Sequence, residues 1–180
     1  TTNNALFLRF WYEVDFGKIG LGIENSQDAL NSKKKWFPIN KGGGYRKWYG
    51  NNHYIVNFEN DGQTICDYID NTPNVNVKSN GRVINRASYY KPGLTWGNLS
   101  SGGFSMRYSP AGFLFETKGA MCFPIDEKDC FGLLSLMNSN LIDKFLGCIC
   151  PILDYHEGPL KLVPIAENAC SLASDGRQKA

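Results

Sequence analysis

The 180-residue chain lacks several features that would place it outside the cytoplasm or make it a metal protein. It has no apolar run of about 18 or more residues and no signal-peptide layout at its N-terminus. Its six cysteines form no C-x-x-C pair, and only two histidines, His53 and His156, could complete a zinc site. We therefore expect a cytoplasmic protein with no metal site and no membrane partner, in which Cys148 and Cys150 are small buried thiols.

Signatures of catalysis are also missing. No two of the eight prolines are adjacent, whereas a turn that grips a flipped-out base usually contains two in a row. The glycine-rich stretches Gly17 to Gly22 and Gly42 to Gly44 do not lie between a parallel strand and a long helix, as a nucleotide-binding turn does. Clustered carboxylates for a nuclease are absent, and a serine or cysteine nucleophile would need one of the two histidines as its base. The sequence predicts no catalytic, cofactor-binding or metal-ligating residue in this chain.

Acidic residues are absent from two long segments, Ala29 to Phe58 and Asn71 to Phe115. Together these segments hold 11 of the 19 basic residues and none of the 17 acidic ones. One-sided charge of this kind favours a polyanionic partner such as nucleic acid, although a merely solvated basic face would have the same composition.

The first of these segments contains a basic, aromatic and glycine-rich stretch between Trp36 and Asp61. Its centre, Lys41 to Tyr49, combines three bases with glycines that allow close backbone approach and with aromatic rings that can pack on sugars or bases. We predict that Lys41, Arg46 and Lys47 hold DNA phosphates. Trp48 is assigned to the core.

The second acid-poor segment carries a mixed set of guanidinium, ammonium and hydroxyl groups that can bind phosphates or base edges. The predicted DNA-binding residues of this set are Arg82, Arg86, Lys91, Thr95, Ser100, Ser101 and Arg107.

With 42% hydrophobic residues, the chain is expected to fold as one α+β domain over residues 1–170, followed by a polar tail over 171–180. Predicted helices cover 5–14 (alternatively a strand), 26–35, 63–69, 81–89 and, as the longest, 129–146. Predicted strands cover 36–39, 45–49, 54–59, 94–99, 104–108, 112–117 and 152–156, with a short run at 160–165. The turn at Gly50-Asn51-Asn52 predicts a hairpin between 45–49 and 54–59, and the next three strands predict a meander.

Several long strings of the sequence resemble a known family. They include Lys35 to Gly43, Arg46 to Asn51, Val56 to Gly62 and Tyr89 to Trp96. These strings are similar to the C-terminal part of the BREX phage-defence adenine-specific DNA methyltransferases, the PglX family. Phe104 to Phe115 and Leu133 to Ser139 are similar to the same family and, more loosely, to specificity subunits of type I restriction systems.

The resemblance implies a target-recognition domain that selects a double-stranded DNA sequence for N6-adenine methylation. It also implies a curved, partly barrel-like mixed sheet with a long helix. S-adenosylmethionine would bind the catalytic domain of the parent protein, an N-terminal domain that this chain lacks, so the fragment itself would hold no cofactor. An alternative is a protein-interaction module that docks another defence-system subunit or a phage inhibitor. A third interpretation is carbohydrate binding on Trp48, Tyr49 and Trp96. It would not explain why the two basic segments contain no acidic residues.

Overall fold

A computed structural model describes residues 3–150 and 154–165 of the chain. The helices are α1 (Asn4–Phe7), α2 (Ser26–Ser32), α3 (Glu59–Asn71), α4 (Ser79–Arg82), α5 (Cys130–Met137), α6 (Asn140–Ile149) and α7 (Glu157–Leu160). The strands are β1 (Leu8–Phe10), β2 (Trp36–Asn40), β3 (Tyr54–Asn57), β4 (Gly93–Trp96), β5 (Met106–Ser109), β6 (Leu114–Phe115) and β7 (Met121–Cys122). Single turns of 3-10 helix lie at Trp11–Glu13, Phe16–Lys18, Arg86–Ser88, Thr117–Gly119 and Glu127–Asp129.

The described residues divide into two compact units. Unit 1 consists of residues 3–39, 52–91 and 110–116, and unit 2 of residues 40–51, 92–109, 117–150 and 154–165. The expected single domain over 1–170 stays a prediction, and the expected polar tail lies outside the described residues.

Unit 1 is built on a four-stranded sheet in the order β1-β3-β2-β6. Both neighbours of β3 run antiparallel to it, with Leu8 and Phe37 each paired to Val56. The buried core of the unit includes Phe7, Phe37, Val56 and Tyr90. The side chain of Asn3 caps α1 by accepting a hydrogen bond from the Leu6 amide at 3.2 Å, as expected of Asn before a helix.

Helix α3 begins with an unusual left-handed turn. Asn60, Asp61 and Gly62 all have positive φ, at 50°, 58° and 80°, and a right-handed helix follows. Arg86 holds this turn, since its guanidinium forms an ion pair with the Asp61 carboxylate and donates to the Asp61 carbonyl at 2.8 Å. The same guanidinium lies 5.8 Å from the Phe58 ring centre. Arg86 therefore stabilises a left-handed turn in which Asn60 and Asp61 have a backbone conformation that L-residues rarely adopt.

Unit 2 contains a three-stranded sheet in the order β5-β4-β7, in which both pairs are antiparallel. The helices α5 and α6 supply Leu134, Met137, Ile142 and Leu146 to its buried core. Alternation along β5 places Met106 in that core and Arg107 on the opposite face of the strand.

The predicted long helix over 129–146 is interrupted at Asn138 and Ser139, so that prediction is wrong in its continuity. The buried Asn138 amide accepts from the Met106 amide and donates to the Met106 carbonyl, both at 2.9 Å. Ser139 then caps α6 through the Ile142 amide at 3.3 Å. Ser139 has extended backbone angles, with φ of −72° and ψ of 155°, so α5 and α6 are separate helices.

The α+β class is confirmed, in the form of two open sheets with helices. Helix 26–35 is confirmed as α2, helix 63–69 falls within α3, and strands 36–39 and 54–59 correspond to β2 and β3. The hairpin between 94–99 and 104–108 is confirmed as β4 and β5. Of the predicted strand 152–156, residues 152 and 153 lie outside the described residues, and Asp154 forms an isolated bridge with Leu99.

Other local predictions are wrong. Residues 45–49 form no strand, and β3 pairs with β1 and β2 instead. The third strand of the predicted meander, β6, lies in the sheet of unit 1. Segment 5–14 is divided among α1, β1 and a 3-10 turn. Cys150 is buried as predicted, but Cys148 is exposed. No helix of the described part is long and apolar enough to span a membrane.

Candidate nucleic-acid interface

The segment Lys41–Gly50 of unit 2, here called the platform segment, has neither helix nor strand apart from one bridge at Trp48. It is nevertheless fixed to the edge of β5. The Trp48 amide donates to the Met106 carbonyl at 3.0 Å, and the Tyr108 amide donates to the Trp48 carbonyl at 2.8 Å. The Arg46 amide adds a bond to Ser105 Oγ at 3.1 Å. These bonds satisfy backbone groups that a strand would otherwise pair, so the segment is irregular but ordered.

Glycine is required at the start of the platform segment. Gly42 has φ of 81°, and a Cβ added to it would lie 2.2 Å from the Lys118 carbonyl oxygen. Backbone cannot yield to such a contact as a flexible side chain can. The close passage of residues 42 and 118 therefore explains one glycine of the Gly42-Gly43-Gly44 run in structural terms.

Trp48 occupies a backbone conformation that bulky residues avoid. Its φ is 75°, in the left-handed region, where a large aromatic residue is a genuine outlier. The two hydrogen bonds to β5 hold it there while 52% of the residue stays exposed. The prediction that Trp48 belongs to the core is therefore wrong. Strain retained at an exposed aromatic residue points to a role in binding.

The platform segment displays three exposed rings next to basic groups. Tyr45, Trp48 and Tyr49 are 49%, 52% and 58% exposed, and Arg46 is exposed between them. Lys47 is half-buried, donates from Nζ to the Asn138 carbonyl at 2.7 Å and lies 6.0 Å from the Tyr45 ring centre. Rings that can stack and cations that can meet phosphate are thus combined on one short segment.

Arg107 lies beneath this segment and is almost fully buried, with 2% of the residue exposed. One terminal nitrogen donates to the Gly42 carbonyl at 3.2 Å, while Nε and the other terminal nitrogen have no partner among the described residues. Burial, and secondarily the charge of Arg46, lowers the pKa of Arg107 to about 10. The group is still charged at neutral pH, so unit 2 contains a buried guanidinium that forms no ion pair with a carboxylate of residues 3–150 or 154–165.

Three predicted contact residues are thereby placed in the interior. Arg107 is buried, and so are Thr95 and Ser100. Thr95 pairs with Arg107 across the strands and donates its hydroxyl to the Ala120 carbonyl at 2.9 Å. Ser100 Oγ accepts from the Gly102 amide at 3.3 Å, whereas Ser101 is exposed. In this conformation DNA could touch only Ser101 of the four.

The remaining predicted residues belong to unit 1, except Lys41, which is half-buried in unit 2. The predicted helix over 81–89 ends at Arg82, so Arg82 and Arg86 do not share a helical face. Arg86 serves the left-handed turn of α3 through Asp61. Arg82 is exposed and donates to the Val77 carbonyl at 3.0 Å, and Lys91 is exposed.

Within residues 3–150 and 154–165 there is no cluster of three or more His, Cys, Asp or Glu side chains that could hold a metal ion.

Two known proteins match almost the whole chain. The adenine-specific methyltransferase PglX of Lacticaseibacillus casei (strain Zhang) is 40% identical over 171 residues, which cover 93% of this chain and 14% of that protein. The adenine-specific methyltransferase BrxX of Escherichia coli O9:H4 (strain HS) is 39% identical over 172 residues, covering 93% and 13%. The chain is related to the PglX and BrxX methyltransferases. No protein-family model matches it.

This relationship confirms the resemblance to the BREX-type PglX methyltransferases, and the chain spans about one seventh of the length of these two relatives. Two features of the structure, an exposed ring and a helix break, were not predicted from the residues. The sequence assigns Trp48 to the core, whereas the structure leaves it exposed, and a positive φ at Trp48 leaves no local sequence signal. Asn138-Ser139, by contrast, is a helix-capping pattern inside an apolar helix, and it could have revealed the break.

Proposed function

We propose that this chain is a DNA target-recognition domain that works together with an adenine-specific methyltransferase domain of a longer PglX-type polypeptide. Three findings support the proposal. The relatives are adenine-specific methyltransferases, the chain corresponds to a small part of each, and its described surface carries binding groups without a metal cluster. In this proposal the partner is double-stranded DNA.

The single observation that carries the proposal is the platform segment. Exposed Tyr45, Trp48 and Tyr49 lie close in sequence to the exposed Arg46, and backbone bonds to β5 hold Trp48 in place. A preordered array loses little conformational entropy on binding. Arg46 would hold a phosphate, and the rings would pack against sugars or base edges.

Catalysis would take place in another domain of the parent protein. That domain would bind S-adenosylmethionine and hold the flipped adenine, while this chain determines which sequence is presented to it. The buried Arg107 adds positive potential under the platform segment without touching DNA.

A motif swap tests this function. In cells carrying the full-length parent, this chain is exchanged for the corresponding part of the PglX relative, and methylated adenines are mapped. We expect the methylated sequence to change to that of the donor. Methylation of the original sequence by an active chimaera would contradict a recognition role.

A second experiment separates DNA binding from a protein-docking role for the same segment. Arg46→Ala combined with Tyr49→Ala should weaken duplex binding and leave the capture of other defence-system subunits unchanged. If the double variant loses a protein partner and keeps its DNA affinity, the platform segment is a protein-interaction surface instead.

A further inference from the structure

Unit 1 contains an apolar groove of about 330 Å³ that the proposed function does not use. Aromatic side chains line much of it, including Trp11, Phe16 and Tyr54, together with Leu21. Asn52 adds a side-chain amide to the lining. A groove with this lining offers apolar contact and almost no hydrogen bonding.

The rim of the groove is exposed to an unusual extent. Trp11, Phe16 and Leu21 are 48%, 65% and 53% exposed, and the neighbouring Tyr12 is 64% exposed. Four large apolar residues within 11 positions form a contiguous patch, and such patches mark interaction sites on proteins.

Side-chain carboxylates within the same segment hold the patch in place. The Phe10 amide donates to the Glu13 carboxylate at 2.7 Å, and the Gly17 amide donates to Asp15 at 2.9 Å, which fixes the two 3-10 turns. The Tyr12 ring stacks on Phe10, with centres 5.3 Å apart. Aromatic residues ordered in this way are ready to bind without further folding.

Charges of both signs lie near the exposed rim, since Lys34 donates from Nζ to the Gly17 carbonyl beside Phe16. Residues 11–28 contain four acids, Glu13, Asp15, Glu24 and Asp28, and one base, Lys18. A rim with charges of both signs around an apolar groove suits a protein surface better than a polyanion.

We propose that this groove is the docking site for another part of the same polypeptide, an apolar surface in the remainder of the longer methyltransferase. The inference rests on the proposed function in one respect, that the chain works within a longer protein. The extent of the relatives supports it, because 86–87% of each lies outside the matched region. An exposed apolar groove is expected where another part of the same polypeptide would normally pack against the chain.

Hydroxyl-radical footprinting tests the docking site. Side-chain labelling is measured in the isolated chain, in the full-length parent and in the parent with duplex DNA. We expect Trp11, Phe16 and Leu21 to be labelled several-fold less in the parent than in the isolated chain, with or without DNA. Tyr45, Trp48 and Tyr49 serve as internal controls that should become protected only when DNA is added.

Labelling of the groove residues tests the docking proposal, and labelling of the platform rings tests the recognition proposal. Equal labelling of Trp11 and Phe16 in the isolated chain and the parent overturns the docking site, as does protection that appears only with DNA. Protection in the isolated chain that increases with its concentration would assign the groove to a second copy and would also overturn it. Failure of DNA to protect the platform rings counts against the recognition role alone.

A variant completes the test. Phe16→Ser with Leu21→Ser removes two exposed side chains, so the isolated chain should keep its unfolding midpoint, while Trp11 in the parent should regain the labelling seen in the isolated chain. The matched control, Tyr45→Ser with Tyr49→Ser, should leave Trp11 protected in the parent. If Trp11 of the Phe16 and Leu21 variant stays protected, something other than the groove contact covers it.

Discussion

Units 1 and 2 both expose aromatic side chains, yet the surroundings of these side chains differ in charge and in backbone. In unit 1, Trp11, Tyr12 and Phe16 lie among acids on 3-10 turns beside an apolar groove. In unit 2, Trp48 and Tyr49 lie beside Arg46 on an irregular segment bound to a strand edge.

The difference teaches that aromatic content alone does not identify a nucleic-acid surface. The sign of the neighbouring charge separates a surface suited to phosphate from one suited to protein. The two surfaces also differ in backbone strain, because Trp48 retains a strained φ of 75° while exposed.

The largest expected effect comes from the backbone of the platform segment. Gly42→Ala should destabilise unit 2 by roughly 3 kcal/mol, since the new methyl group meets the Lys118 carbonyl and Ala resists the positive φ. Urea unfolding measures the change. Gly44→Ala is the matched control, because a Cβ there meets nothing within 4 Å, and its effect should stay within about 0.5 kcal/mol. Equal effects of the two substitutions would show that residues 42 and 118 do not pass so closely.

Asn138→Ala removes the amide that binds both backbone groups of Met106. The Met106 N–H would lose its partner in a buried position, at a cost of roughly 2 kcal/mol. Hydrogen exchange should quicken in β5 and not in the unit 1 sheet. Asn140→Ala, at an exposed position of α6, is the control. Uniform acceleration over both units would mean that they unfold as one.

Paired substitutions in the platform segment and in the groove rim, each followed by measurement of duplex affinity, test which surface binds DNA. Arg46→Ala with Tyr49→Ala should weaken affinity about tenfold or more through the loss of a phosphate contact and a stacking surface. Phe16→Ala with Leu21→Ala changes the same number of exposed side chains in unit 1 and should leave affinity unchanged. Fluorescence anisotropy with labelled duplex measures both, and a reversed order would exchange the roles of the two surfaces.

Trp48→Asn tests whether the strained backbone of residue 48 lowers the free energy of unfolding. The expected effect is smaller than those above. Asn tolerates the left-handed region, so the free energy of unfolding should rise by about 1 kcal/mol while DNA affinity falls. Trp11→Asn, at an exposed residue without positive φ, should give no such gain. A loss of stability at position 48 would show that the indole contributes packing that outweighs the strain.

Local patterns predicted much of the fold and less of the site. Helix α2 and strands β2 and β3 form over the segments that local patterns predicted, because each depends on near neighbours in sequence. The position of Trp48 depends on bonds to Met106 and Tyr108, about 60 residues away, which local propensity cannot reveal. The burial of Arg107 and the anchoring of Arg86 by Asp61 are likewise long-range, and both residues looked in sequence like surface cations.

The salt dependence of duplex binding tests the central claim most directly. The dissociation constant of the chain for duplex DNA is measured across a salt series, for the wild type and for Arg46→Ala. Phosphate contact by the platform segment predicts a dissociation constant that rises steeply with salt and a log–log slope that falls by about one in the variant. A dissociation constant unmoved by salt, or an identical slope in Arg46→Ala, would contradict the account.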